Sequence, residues 1–192
     1  MKLVCLLGSP RREGNSATVA ALLTARAREL GAETETVYLN GLTMKGCQGC
    51  YACKTGADRC VVADDLAPVL ESVRTADALV LATPVYYGDV TAQLKCFIDR
   101  TFSYLVPDYA TNPVRSRLAP GKRLALVIVQ GHPDEKLFAD IYPRYELFFR
   151  WLGFTDNHLV RWCGLQEKSD VLKRTELIEL AERTAEQLVR GG

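Results

Sequence analysis

Short apolar runs and helical patterns alternate along the whole chain. Residues 78–82 are all apolar, which is typical of a strand buried on both faces. In residues 16–30, apolar positions recur every three or four residues, which predicts an amphipathic helix. The same criteria predict strands at residues 2–7, 33–39, 78–83, 123–129 and 158–163. They predict helices at residues 16–30, from residue 64 or 65 to about 74, and at residues 91–104, 134–152 and 169–189, with a kink or restart at Pro143.

This alternation predicts an α/β protein with a parallel sheet. Right-handed crossovers then place helices on both faces of the sheet. Five strands favour the flavodoxin-like order 2-1-3-4-5, in which the ligand lies at the carboxyl ends of the strands. The 192 residues fit one three-layer domain over residues 1–192, with a cysteine-rich insertion at about residues 41–63.

The loop after the first strand carries the strongest functional signal. Residues 8–16 are rich in glycine, hydroxyl and other polar residues, and the helical pattern starts directly after them. Such a loop directs backbone N–H groups and a helix N-terminus at one spot, which suits a phosphate. The spacing matches neither the dinucleotide fingerprint nor the Walker loop, so we expect a mononucleotide. Donors are available from the hydroxyls of Ser9, Ser16 and Thr18, the amide of Asn15, and the guanidinium of Arg11 or Arg12.

The loops after the third and fourth strands, residues 84–89 and 130–132, should converge on the same place. Tyr86, Tyr87 and the backbone beside Gly88 suit a flat, redox-active ring whose polar edge accepts backbone hydrogen bonds. The alternative is that the two tyrosines only cover the end of the sheet.

Three motifs in this order resemble the NAD(P)H-dependent FMN reductase branch of the flavodoxin-like superfamily. They are Gly8-Ser9-Pro10-Arg11 with Gly14-Asn15-Ser16, then residues 83–88, then residues 94–100. The resemblance implies that the first loop binds the FMN phosphate, the second contacts the isoalloxazine, and the loop after the fourth strand closes over it. The FMN-binding residues that it implies are Ser9, Arg11, Asn15, Ser16, Ala17, Thr18, Pro84, Val85, Tyr86, Tyr87, Gly88, Gly131 and His132.

Four of the seven cysteines, Cys47, Cys50, Cys53 and Cys60, follow the pattern C-x2-C-x2-C-x6-C. Bacterial ferredoxins ligate clusters with a related run, whereas structural zinc usually takes two separated cysteine pairs. The pattern resembles that of the iron–sulfur flavoproteins, which implies a [4Fe–4S] cluster near FMN. Zinc, and free or oxidised thiols including a regulatory disulfide, are the alternatives.

Composition excludes several classes of partner. The net charge is +1 and no basic tract is present, which argues against nucleic acid. The longest apolar runs are too short to cross a bilayer. The start of the chain lacks the pattern of an export signal, so we expect a cytoplasmic protein whose cysteines do not form a disulfide framework.

Together these features predict an FMN-dependent oxidoreductase of the iron–sulfur flavoprotein type. The flavin performs the chemistry, so no catalytic side chain is required. We expect NAD(P)H as a transient co-substrate or a ferredoxin-like donor, a small-molecule acceptor and, from the resemblance, a homodimer or homotetramer. The alternatives are a cluster-free NAD(P)H-dependent FMN or quinone reductase, and a non-catalytic flavoprotein electron carrier.

Overall fold

The computed structural model describes residues 1–168 and 170–191, and its centre is a parallel β-sheet. The strands are β1 (Lys2–Leu7), β2 (Glu33–Tyr38), β3 (Ala78–Pro84), β4 (Lys122–Val129) and β5 (Phe154–Trp162). Their order is β2-β1-β3-β4-β5, and every neighbouring pair is parallel. The flavodoxin-like order predicted from the sequence is therefore confirmed.

Helices cover both faces of this sheet. They are α1 (Asn15–Glu29), α2 (Ala52–Thr55), α3 (Leu66–Thr75), α4 (Ala92–Arg100), α5 (Ile141–Trp151) and α6 (Thr175–Arg190). One core packs Leu66, Phe97 and Phe149, from α3, α4 and α5, against the sheet. A second core packs Leu23 of α1 and Leu177 of α6 against the opposite face. Within residues 1–168 and 170–191, no helix has both the length and the apolar character needed to cross a membrane.

Three predicted helices begin or end at other residues. Helix α5 begins at Ile141 rather than at residue 134, and Pro143 lies in its first turn, where a missing backbone N–H breaks no intrahelical bond. Helix α4 ends at Arg100, and the chain continues as a 3₁₀ turn to Tyr104. The predicted last helix began at Ser169, which lies outside the described residues; α6 itself begins at Thr175.

The start of α4 is fixed against the loop after β1. The hydroxyl of Thr91, the N-cap of α4, donates to the carbonyl of Gly8 at 2.7 Å. A Cβ at Gly8 would lie 2.9 Å from both the Cβ of Leu94 and the hydroxyl oxygen of Thr91. Glycine is therefore required here because the loop and the helix approach each other too closely for a side chain.

Candidate functional site

Loops at the carboxyl ends of the strands enclose a cavity of about 310 Å³. Eight of the thirteen residues predicted to bind a cofactor line this cavity. They are Ser9, Arg11, Asn15, Ser16, Pro84, Val85, Tyr86 and Gly131. The other five, Ala17, Thr18, Tyr87, Gly88 and His132, are absent from its lining. The structure thus brings together residues from three loops that are far apart in sequence.

The N-terminus of α1 opens on this cavity, since Asn15 and Ser16 line it. The first backbone N–H groups of a helix have no intrahelical acceptor, and the first turn of α1 contains no acidic residue. The positive end of the helix dipole is therefore available to an anion. Ser9 shapes the loop, because its hydroxyl oxygen accepts a hydrogen bond from the N–H of Arg11 at 3.0 Å.

A tight turn follows β3 and places Tyr86 at the cavity. Tyr86 and Asp89 exchange two backbone hydrogen bonds of 2.9 and 3.2 Å. The two central residues, Tyr87 and Gly88, have φ values of 51° and 83°, as in a type I′ turn. The side chain of Tyr87 is fully exposed. The turn is anchored by Tyr145, whose hydroxyl donates to Asp89 at 2.9 Å.

The remaining predicted residues are engaged elsewhere. His132 is exposed, and its Nδ1 accepts a hydrogen bond from the N–H of Asp134 at 3.1 Å. The buried amide of Gln130 fixes this loop by donating to the carbonyls of His132 and Asp134, both at 2.9 Å. The hydroxyl of Thr18 donates back to the carbonyl of Gly14 at 3.2 Å.

Sequence analysis missed the loop after β5, which also lines the cavity through Leu165 and Gln166. The Gln166 amide donates to the carbonyl of Gly131 at 3.3 Å. The Asn15 amide donates to the carbonyl of Glu167 at 2.9 Å, so this loop is joined to the start of α1. The only sequence feature that could have indicated this loop is the polar run at residues 166–168, which follows the last strand.

A second cavity, of about 300 Å³, is lined by all four cysteines of the C-x2-C-x2-C-x6-C motif. All four are free thiols: Cys47 and Cys50 are exposed, Cys53 is buried and Cys60 is half-buried. Across residues 1–168 and 170–191, no three His, Cys, Asp or Glu side chains form a group that could hold a metal ion. Four thiols around one cavity nevertheless form the donor set that iron–sulfur clusters use. The ligand chemistry of these residues is therefore compatible with such a cluster.

Two cations hold residues 45–62, which we call the cysteine segment, against the 3₁₀ turn after α4. Lys54 donates to the carbonyls of Phe102 and Leu105 at 2.6 and 2.7 Å. Arg117 donates to the carbonyls of Cys53 and Ser103 at 2.9 and 2.8 Å. Burial lowers the pKa of Lys54, and this outweighs the opposing effect of the nearby Cys53. These cations bring positive charge close to the four thiols.

The sequence of residues 1–140 matches the family described as NADPH-dependent FMN reductase. The chain belongs to this family. It is similar to an iron-sulfur flavoprotein of Methanosarcina thermophila, with 35% identity over 122 residues that cover 63% of each chain. It is also similar to an iron-sulfur flavoprotein of Archaeoglobus fulgidus, with 42% identity over 107 residues that cover 54% of this chain and 47% of the relative. The chain therefore matches between about half and two thirds of the length of these curated relatives.

This chain shares its fold with a solved structure of an NAD(P)H:quinone oxidoreductase from Methanothermobacter marburgensis. The TM-score is 0.75, and the superposition covers 98% of this chain and 96% of the other. Because the sequence identity is only 22%, this similarity supports the architecture and carries no residue roles. The family expected from the three sequence motifs is confirmed by the match over residues 1–140.

Proposed function

We propose that this protein is an FMN-dependent oxidoreductase that binds FMN in the cavity at the carboxyl ends of β1, β3 and β4. The observation that carries the proposal is the convergence of Ser9, Ser16, Tyr86 and Gly131, from three loops, on that one cavity. Membership of the FMN reductase family supports the same ligand. When bound, FMN supplies the hydride or electron transfer.

The chain's own residues bind and orient the flavin. Ser9, Ser16 and the N-terminal N–H groups of α1 would hold the phosphate dianion, with Arg11 balancing its charge. The ring would contact Pro84, Val85 and Tyr86, which lie at the end of β3 and just after it and line the same cavity. The turn at residues 86–89 is fixed by its own backbone bonds, so the ring meets a preformed surface.

We further propose that Cys47, Cys50, Cys53 and Cys60 ligate a [4Fe–4S] cluster. All four line one cavity, and two of the similar proteins described above are named iron-sulfur flavoproteins. When bound, the cluster supplies one-electron transfer. Lys54 and Arg117 would balance part of its negative charge and keep the backbone of Cys53 in place.

NAD(P)H is the proposed electron donor, and the proposed acceptor is a small molecule such as a quinone. The family description and the name of the Methanothermobacter structure support this pair. Rapid flavin reduction by NADH or NADPH under anaerobic conditions is the expected result. Reduction by ferredoxin alone would favour the electron-carrier alternative instead.

The deciding experiment is FMN titration of the anaerobically purified protein, together with iron and acid-labile sulfide analysis. We expect one FMN per chain and four iron atoms per chain. Cys53→Ser should lose the cluster while keeping FMN, because the two cavities are lined by different loops. Cys96→Ser is the matched control: its sulfur lies near Gly46, but Cys96 is not among the lining residues, so iron content should not change.

The outcomes separate the alternatives. A protein that binds no FMN at saturating ligand would overturn the flavin site. A yellow protein without iron or sulfide, in which all four thiols can be titrated, would instead be the cluster-free reductase.

A further inference from the structure

Arg100, the last residue of α4, is buried at the cysteine cavity with an exposed fraction of 1%. Its Nη1 donates to the carbonyl of Lys45 at 3.0 Å and to Oδ2 of Asp64 at 2.8 Å. Its Nη2 donates to the carbonyl of Val62 at 3.1 Å. Lys45 precedes the first cysteine of the motif and Val62 follows the last. One guanidinium therefore fastens both ends of the cysteine segment.

Asp64 completes this arrangement. Its carboxylate also accepts hydrogen bonds from the N–H groups of Lys45 at 2.9 Å and Leu66 at 3.1 Å. Burial alone would raise the pKa of Asp64, but the hydrogen bond and charge of Arg100 and the Lys45 N–H hold it below its ordinary value. The pair is therefore ionised. Arg100 lines the cavity, whereas Asp64 is not among the lining residues.

One nitrogen of Arg100 is left without a partner. Its Nε is buried and has no hydrogen-bond partner among the described residues. A buried, unpartnered N–H is rare in folded proteins, and this one belongs to a side chain that lines the cavity together with all four cysteines. Cys60 is the cysteine beside the guanidinium. The other charged residue of the lining, Asp99, is already paired with Lys95 at 2.5 Å.

We propose that Arg100 positions Cys60 and tunes the cluster, with its Nε–H donating to a sulfur at the Cys60 corner and its buried charge favouring the reduced state. This inference rests on the proposed cluster. Net charge, hydrogen bonds to sulfur and solvent exposure set the potential of such clusters. Uptake of one electron adds one negative charge next to a cation that solvent does not screen, so the reduced form gains more from Arg100 than the oxidised form does.

The test is an anaerobic potentiometric titration of the holoprotein, with dithionite as the reductant and EPR of the reduced cluster as the readout. Arg100→Gln keeps an amide donor and removes the charge. We expect the reduced-to-oxidised ratio at a fixed potential to fall at least tenfold, which equals a midpoint lower by about 59 mV for one electron. Asp64→Asn removes the negative charge behind Arg100 and keeps an acceptor, so its midpoint should rise.

Arg59→Gln is the matched control. Arg59 precedes Cys60 in the sequence, but its side chain is 61% exposed and pairs with Asp58. Because solvent screens this charge, its loss should leave the midpoint unchanged. Opposite shifts in the Arg100 and Asp64 variants are a result that mere loosening of the segment would not produce.

Each outcome decides the proposal. Absence of iron from the wild-type protein would overturn the proposed cluster and this inference together. A wild-type cluster whose midpoint does not change in Arg100→Gln, or changes equally in Arg59→Gln, would overturn the inference alone. Should Arg100→Gln fail to assemble a cluster, Asp64→Asn decides: a raised midpoint supports the role of Arg100, and an unchanged or lowered one contradicts it.

Discussion

The loop after β1 and the cysteine segment both deliver polar groups to a cavity, but different forces hold them. The loop connects a buried strand directly to α1, and Gly8 packs against the start of α4. The cysteine segment contains only the four-residue helix α2, and side chains of Lys54, Arg100 and Arg117 tie it to the rest of the fold. The proposed flavin cavity is therefore shaped chiefly by main-chain connections, whereas cationic side chains hold the cysteine cavity in place.

The largest effect should come from a charge placed in the first loop. Ser16 has an exposed fraction of 1% and lies in the first turn of α1. Ser16→Asp suits the helix dipole, but its carboxylate would repel the phosphate of FMN. We expect FMN affinity to fall at least a hundredfold, equal to about 2.8 kcal/mol, as measured by quenching of flavin fluorescence.

Ser16→Ala is the control for this substitution, since it removes one hydroxyl donor without adding charge and should weaken FMN binding far less. Iron content should be normal in both variants, and circular dichroism should show an unchanged fold. Wild-type FMN affinity in Ser16→Asp would place the phosphate somewhere other than the N-terminus of α1.

A smaller effect should follow from loosening the cysteine segment. Arg117→Met removes the hydrogen bonds to Cys53 and Ser103 while keeping an apolar stem. We expect the free energy of unfolding in urea to fall by about 2 kcal/mol and the iron content to drop, with FMN affinity unchanged. Arg115→Met is the control. The guanidinium of Arg115 lies over the ring of Trp151, 4.9 Å from its centroid, so its loss should leave the iron content unchanged.

Should Arg117→Met lose FMN and iron together, the two cavities would be coupled and the contrast between them would fail. Full retention of iron would show instead that Lys54 and Arg100 hold the segment without help from Arg117.

The same contrast explains what the sequence could predict. A phosphate loop after β1 is predicted because a strand, a glycine-rich turn and a helix start are adjacent in the chain, and the alternation of five apolar runs with helical patterns favours the strand order that the structure confirms. The cysteines were found through their spacing. The side chains that hold the cysteine segment were not found from the sequence, because Arg117 is 64 positions from Cys53 and Arg100 is 36 positions from Asp64. No local pattern marks such pairs, and the same applies to Gln166, which meets Gly131 from another strand end.

The smallest effect should come from the turn after β3, where the contribution of the backbone conformation to FMN binding can be tested separately from that of a side chain. Tyr87 has a φ of 51° and a fully exposed side chain, and asparagine tolerates this left-handed conformation better than tyrosine does. Tyr87→Asn should therefore keep the turn, raise the free energy of unfolding by up to about 1 kcal/mol, and leave FMN affinity within about twofold, a change below about 0.4 kcal/mol.

Tyr86→Ala supplies the comparison, since Tyr86 lines the cavity and its loss should weaken FMN binding about tenfold. If Tyr87→Asn instead weakens FMN binding as much as Tyr86→Ala does, then Tyr87 must swing from solvent onto the flavin. The proposed flavin cavity would then depend on a mobile side chain, as the cysteine cavity depends on its cations, and its main-chain connections would not account for FMN binding.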